Sequence, residues 1–222
     1  MKAVVLLSGG LDSATVLAMA SKDEYSVTAL SFRYGQKHSI ELDKAAATAA
    51  AWNVRDHVVL QLDPEPFRAS SLTGEGEVQN GNIQRTEIPS TYVPARNTVF
   101  LSLALALAES READAVFIGV NALDYSGYPD CRPAFIKAFR NLAAVATKSA
   151  VQGNPVRIEA PLLHMTKAEI IRAGLDLGVD YSLTLSCYRP DSQGRSCGTC
   201  DSCLLRLKGF RENGETDPAT YV

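Results

Sequence analysis

The sequence predicts an α/β fold built on a doubly wound, mostly parallel sheet, with a small metal-binding appendage at its C-terminal end. Three observations carry that expectation. Short apolar runs alternate with alanine- and leucine-rich stretches of helical spacing, which implies right-handed crossovers and a sheet covered on both faces. The first apolar run ends in a glycine pair that opens a helix. Four of the five cysteines fall between positions 187 and 203, in a tail dominated by glycine and charge.

In chain order, residues 2–7 read as a short buried strand and 11–19 as the helix after the glycine pair. Residues 25–32 form a second strand, the alanine-rich stretch 39–52 a helix, and 54–62 a third strand. The span 63–94 breaks the rhythm with prolines, glycines and the cluster Gln79-Asn80-Gly81-Asn82; a loop this long is usually functional. A helix over 98–109, capped by Asn97 or Thr98, leads to a strand over 113–120. A second special loop covers 121–132, followed by a helix over 133–148 and a short strand over 156–159. Thr166 caps a helix over 167–174, with Glu169 three residues on completing a capping box. From Ser182 onward the tail reads as irregular and stapled by metal, so the division is 1–181 for the main domain and 182–222 for the appendage.

At 222 residues, 46% hydrophobic and 21% charged, the composition is that of an ordinary globular enzyme. A formal net charge of -3 supplies no overall basic field for a long nucleic acid, so no nucleic-acid partner is expected. The first apolar run is too short for a signal peptide. The longest later run, 99–108, contains Ser102 and falls short of the roughly 20 residues a membrane span requires. The expected setting is therefore the cytoplasm, without a membrane partner. In that reducing setting five cysteines point to metal binding or catalysis, not to disulfides.

The turn Ser8-Gly9-Gly10-Leu11-Asp12-Ser13 joins strand to helix. Its glycines let the backbone turn tightly and expose N–H groups, while the helix N-terminus adds partial positive charge. With the hydroxyls of Ser8 and Ser13 the turn reads as a phosphate cradle. It lacks the Gly-Lys-Ser/Thr ending of a Walker loop and the glycine spacing of a dinucleotide fingerprint. Asp12 has three readings: support of the loop, a metal contact, or a plain helix cap.

This hexapeptide resembles the SGGxDS signature of the PP-loop, or adenine nucleotide alpha hydrolase, superfamily, which implies a Rossmann-like fold and activation of a substrate oxygen by adenylation. Carried over, the resemblance makes Ser8, Gly9, Gly10, Leu11, Asp12 and Ser13 ATP contacts, joined by Phe32 and by Lys167 of Pro161-Leu162-Leu163-His164-Met165-Thr166-Lys167. Further segments are similar to the 7-cyano-7-deazaguanine synthases of queuosine biosynthesis. They are Phe32-Arg33-Tyr34-Gly35-Gln36-Lys37-His38, Tyr92-Val93-Pro94-Ala95-Arg96-Asn97, and Asp124-Tyr125-Ser126-Gly127-Tyr128-Pro129-Asp130-Cys131-Arg132. Ser186-Cys187-Tyr188 and Cys203-Leu204-Leu205-Arg206-Leu207-Lys208-Gly209-Phe210 complete the set, in the family's order across nearly the whole chain.

The resemblance implies conversion of 7-carboxy-7-deazaguanine and ammonia to the 7-cyano compound, with ATP and Mg²⁺, in a homodimer. A carboxylate oxygen leaves poorly, so adenylation makes it displaceable, and charge on phosphorus calls for positioned cations and N–H donors. Ser8, Asp12, Lys37, Arg96 and Lys167 are the catalytic candidates. A guanine-like edge presents adjacent N–H donors that one carboxylate can accept. Asp124 or Asp130 is the candidate acceptor, and Tyr125 or Tyr128 the stacking ring.

Cys187, Cys197, Cys200 and Cys203 match a closed tetrahedral zinc site of structural type. The C-x₂-C-x₂-C run also suits iron–sulfur ligation, but the C-x₃-C-P element is absent. Redox chemistry by a CxxC pair is the weaker rival. Two rival functions remain at this point: another PP-loop enzyme acting on tRNA, and a zinc-ribbon module binding nucleic acid.

Overall fold

Five parallel strands, the inner three strongly apolar, form the centre of the molecule; the computed structural model describes residues 1–38, 40–83, 87–123 and 127–222. They are β1 (Lys2–Leu6), β2 (Ser26–Arg33), β3 (Asp56–Gln61), β4 (Ala115–Phe117) and β5 (Arg157–Glu159), in the order β3-β2-β1-β4-β5. In register, Val4 pairs with Thr28 on one side and Val116 on the other. Successive side chains of a strand point to opposite faces. On β1 this sends Ala3 and Val5 into one core and Val4 and Leu6 into the other.

The Ala3 and Val5 face is covered by α1 (Leu11–Lys22), α2 (Ile40–Ala51) and α6 (Lys167–Asp176) through Leu17, Ala45 and Ile170. The Val4 and Leu6 face is covered by α3 (Arg96–Ser110) and α4 (Pro133–Ala146) through Leu101, Ala104 and Ile136. A single turn, α5 (Lys148–Val151), follows α4. The doubly wound expectation therefore holds, and the sheet is parallel at every pairing. The capping box at Thr166 is present as well, with Thr166 N–H donating to the Glu169 carboxylate at 2.7 Å.

Two local expectations fail, both because a distant segment supplies what local sequence seemed to supply. Neither Asn97 nor Thr98 caps α3; Ala95 holds that position at φ 50, and Asn97 lies inside the first turn. The Asn97 N–H is satisfied instead by the buried carboxylate of Asp130, at 2.9 Å. The tail is not irregular throughout, since α7 (Asp201–Glu212) is a regular helix packed on α6. Its buried residues Cys203, Arg206 and Phe210 stand three and four positions apart, with Gly209 on the same face, a periodicity hidden by the cysteines and charges around it. Phe210 enters the main core edge-on to Tyr181, and buried Arg206 pairs with Asp217 at 2.8 Å. Among the described residues no helix is long and apolar enough to cross a membrane.

Candidate functional site

The chain leaves β1 towards β2 and leaves β4 towards β5, on opposite sides, so a crevice opens between their C-terminal ends. Open α/β sheets bind ligands at such a switch point. A cavity of about 310 Å³ lies there, at the small end of the ~300–1,000 Å³ usual for ligand sites. The 8–13 turn forms one wall; Ile118, Gly119 and Asn121 after β4 form another.

The turn is braced by its own atoms. Ser8 N–H and Ser8 Oγ both reach Ser13 Oγ, at 3.2 and 3.1 Å, and Ser13 Oγ donates to the Gly10 carbonyl at 2.9 Å. Gly9 sits at φ 83, and a Cβ there would lie 2.2 Å from the Glu41 carbonyl oxygen, so no other residue fits without displacing α2. Gly10 is the N-cap of α1 and Asp12 its second residue, so the capping role for Asp12 is excluded. Asp12 Oδ1 instead accepts from Lys167 Nζ at 2.6 Å. Lys167 opens α6, where the helix dipole disfavours a cation, and the Asp12 carboxylate offsets that cost.

The other proposed cations reach the same cavity. Arg96 lines it and donates to Tyr34 Oη at 3.4 Å; Lys37 stands at its edge with Nζ on the Gly76 carbonyl at 2.7 Å. Phe32 is buried in the wall and stacks on Phe100, with centroids 3.9 Å apart. Polar cavity residues outside the candidate site set include Tyr34, Glu41, Ser186 and Tyr188. Burial pushes the Glu41 carboxyl up to about 7, against the opposing charge of Arg96. Burial likewise pushes the Cys131 thiol up to about 12, which keeps this cavity-lining cysteine protonated and poorly nucleophilic. His38 lines the cavity, His57 bonds Ser31 Oγ at 2.8 Å on the sheet, and His164 is exposed.

Tyr128 lines the main cavity and an adjoining one of about 60 Å³, which Asp130 also lines. The Tyr128 hydroxyl is within 2.8 Å of Thr91 Oγ1 and donates to Tyr188 Oη at 3.3 Å. Asp124 and Tyr125 lie outside the described residues.

The sulfur atoms of Cys187, Cys197, Cys200 and Cys203 all lie within 4.8 Å of one another, the Cys197–Cys203 pair at 4.0 Å. A tetrahedron with Zn–S bonds of ~2.3 Å puts its sulfurs about 3.8 Å apart, so the spacing fits. Backbone N–H groups of Tyr188, Arg189 and Cys197 donate to these sulfurs at 3.2–3.5 Å, which suits thiolates. The segment leading into this knuckle touches the 8–13 turn: Leu185 N–H donates to the Gly9 carbonyl at 2.9 Å and Leu11 N–H to Ser186 Oγ at 3.2 Å. The knuckle also anchors the long loop, with Gly81 N–H donating to the Thr199 carbonyl at 2.7 Å and Arg189 to the Val78 carbonyl at 2.9 Å.

The family model for queuosine biosynthesis protein QueC matches residues 2–214. The chain belongs to the QueC family. Among its QueC-like relatives is a 7-cyano-7-deazaguanine synthase of Syntrophotalea carbinolica, 58% identical over 100% of this chain and 96% of that protein. Another, from Paramagnetospirillum magneticum and of the same name, is 55% identical over 99% of this chain and 98% of its own. Solved structures share the fold at low identity. NMN synthetase from Francisella tularensis superposes with TM-score 0.51 at 18% identity, over 97% of this chain and 78% of that one. A predicted tRNA methyltransferase subunit from Methanocaldococcus jannaschii gives 0.50 at 16%, over 100% and 92%.

Proposed function

We propose that this QueC-family chain converts 7-carboxy-7-deazaguanine and ammonia to 7-cyano-7-deazaguanine at the expense of ATP. The observation that carries the reading is the self-braced 8–13 turn facing a switch-point cavity that also receives Asp12, Lys167 and Arg96. Relatives of that name, 54–58% identical over essentially the whole chain, supply the substrate class.

The turn's N–H groups and the α1 N-terminus hold the phosphates of ATP, and Lys167, Arg96 and Lys37 neutralise charge as phosphorus is attacked. The substrate carboxylate oxygen bonds to the α-phosphorus as pyrophosphate leaves. Ammonia then forms the C–N bond, the C–O bond to AMP breaks, and one proton is released. The amide oxygen is activated by a second ATP in the same way. Loss of the second AMP and of two N–H protons leaves the nitrile. Asp12, beside the turn, is the carboxylate suited to holding Mg²⁺, which neutralises phosphate charge. The four cysteines would hold one Zn²⁺, which would supply structural cross-linking of the tail and no chemistry of its own.

For base recognition we assign Tyr128 or Tyr125 as the stacking ring and Asp130 or Asp124 as the acceptor. Asp130 already accepts from Asn97, which makes Asp130→Asn informative. A recognising role raises the apparent KM for the 7-carboxylate by the equivalent of about 2–4 kcal/mol at unchanged ATP affinity. A role confined to holding α3 lowers the melting temperature and leaves that KM in place.

The chain is assigned to the cytoplasm as a homodimer. The supporting surface is the exposed apolar pair Leu142 and Val145 on α4, with Val151 on α5; sedimentation velocity reads the mass. The deciding experiment for the reaction is a mass spectrum after incubation with ATP, ammonium and the 7-carboxylate. The nitrile is expected, with no stimulation of ATP turnover by tRNA. ATP turnover that responds to tRNA and not to the 7-carboxylate defeats the assignment.

A further inference from the structure

The phosphate turn has used most of its own polar groups before any ligand arrives. Ser8 Oγ accepts from Gly10 N–H at 3.4 Å and donates to Ser13 Oγ at 3.1 Å; Ser13 Oγ then donates to the Gly10 carbonyl at 2.9 Å. A hydroxyl has one proton, so both serine protons of the turn are engaged within the turn. The N–H of Leu11, the first of α1, is engaged from outside it, by Ser186 Oγ at 3.2 Å. Ser186 is half-buried and lines the cavity, and its oxygen stands 3.8 Å from where a Cβ on Gly10 would lie.

Ser186 therefore accepts from the helix N-terminus with its oxygen, while among the described residues no group accepts its proton. A hydroxyl that accepts an N–H is polarised into a better donor. The hydroxyl is free to rotate its proton into the cavity that the turn, the start of α1 and Lys167 also line. The backbone on either side is fixed. Leu185 N–H is bonded to the Gly9 carbonyl at 2.9 Å, and Cys187 is the first sulfur of the metal-fitting cluster.

We propose that Ser186 is a nucleotide-binding residue, the hydroxyl that completes the phosphate cradle from the C-terminal tail. It donates to a phosphate oxygen of ATP and, through Cys187, ties the shape of the cradle to the cysteine knuckle. The inference rests on the ATP reading above and adds a residue 173 positions beyond the end of the turn, since 186 − 13 = 173.

Calorimetric titration of zinc-loaded protein with ATP alone, for the parent, Ser186→Ala and Ser186→Thr, tests it. A hydrogen bond to a charged group is worth enough that Ser186→Ala should bind ATP about tenfold or more weakly. Ser186→Thr keeps the hydroxyl and should stay within about threefold of the parent. Zinc content and thermal unfolding, measured on each protein, should match the parent. Equal ATP affinity in parent and Ser186→Ala overturns the proposal while leaving the ATP reading intact. Loss of zinc or of cooperative unfolding in Ser186→Ala overturns it too, because the hydroxyl is then a structural strut. A parent that binds no ATP removes the nucleotide reading itself, and this inference with it.

Discussion

The 8–13 turn and the 187–203 knuckle adjoin in space and are held together by opposite means. The turn closes through bonds of its own: two serine hydroxyls, one carbonyl and a glycine whose positive φ presses it against α2. Its shape is set by these bonds and by the start of α1 without any ligand. The knuckle gathers four sulfurs within 4.8 Å, and among the described residues Val78 and Leu185 are the further buried apolar members of its cluster. Four thiolates at that distance would repel one another, so the knuckle is the arrangement that a bound cation would stabilise. A region made of backbone hydrogen bonds should lose function when its chemistry is changed and keep its fold; a region made by an ion should lose its fold first.

The largest effect expected from this contrast follows removal of zinc. Protein prepared without chelator should carry one zinc per chain, and Cys200→Ala or a strong chelator should lower the melting temperature by more than about 10 °C. Metal–thiolate binding of this kind is folding energy on the order of 10 kcal/mol. Because the segment leading into the knuckle bonds Gly9 and Leu11, ATP affinity should fall along with the melting temperature. Metal analysis giving iron with labile sulfide, or an unchanged melt after chelation, breaks the comparison on the knuckle side.

Next in size is Gly9→Ala. The added methyl meets the Glu41 carbonyl and forces a left-handed backbone on alanine, at a cost of about 1–3 kcal/mol. Chemical denaturation should show that loss together with near-complete loss of turnover. A variant of parental stability would mean that the turn yields more readily than its bonds suggest.

Ser8→Ala and Asp12→Ala should act on chemistry. Each should cut turnover at least about tenfold, as the loss of one charge-stabilising contact does, with melting temperatures close to the parent. Near-normal kinetics in both variants would take the turn out of the mechanism.

The smallest effect concerns Glu41, whose carbonyl backs the turn. Burial raises its carboxyl to about 7, whereas in the unfolded chain it ionises near the ordinary glutamate value of 4.5. Between those values the folded protein holds a proton that the unfolded chain has released, so this group's contribution to stability falls as pH rises from about 4.5 to about 7. Glu41→Gln abolishes that loss. Its melting temperature should exceed the parent's at pH 8 and come close to it at pH 4.5. A gain that is the same at both pH values would place its origin in packing, not in ionisation.

Local sequence determined what depends on neighbours in the chain. The hexapeptide reads as a phosphate cradle because strand, glycines, hydroxyls and helix N-terminus are consecutive, and the short apolar runs between helical stretches read as a parallel sheet covered on both faces. The CxxC spacing and the Thr166–Glu169 capping box are similarly short-range. Tertiary structure alone decided which distant groups complete these units. Asp130 takes over the end of α3 that Asn97 seemed to cap, Asp12 answers Lys167 across 155 positions, and Ser186 meets Leu11 across 175. The physical reason is the crossover topology. Every strand runs in the same direction, so the C-terminal ends of β1, β2 and β4 lie at one end of the sheet and meet the tail knuckle at one crevice although the chain separates them. A lone glutamate such as Glu41 or a serine such as Ser186 carries no periodicity and no spacing; burial and a partner give it a role, and folding supplies both.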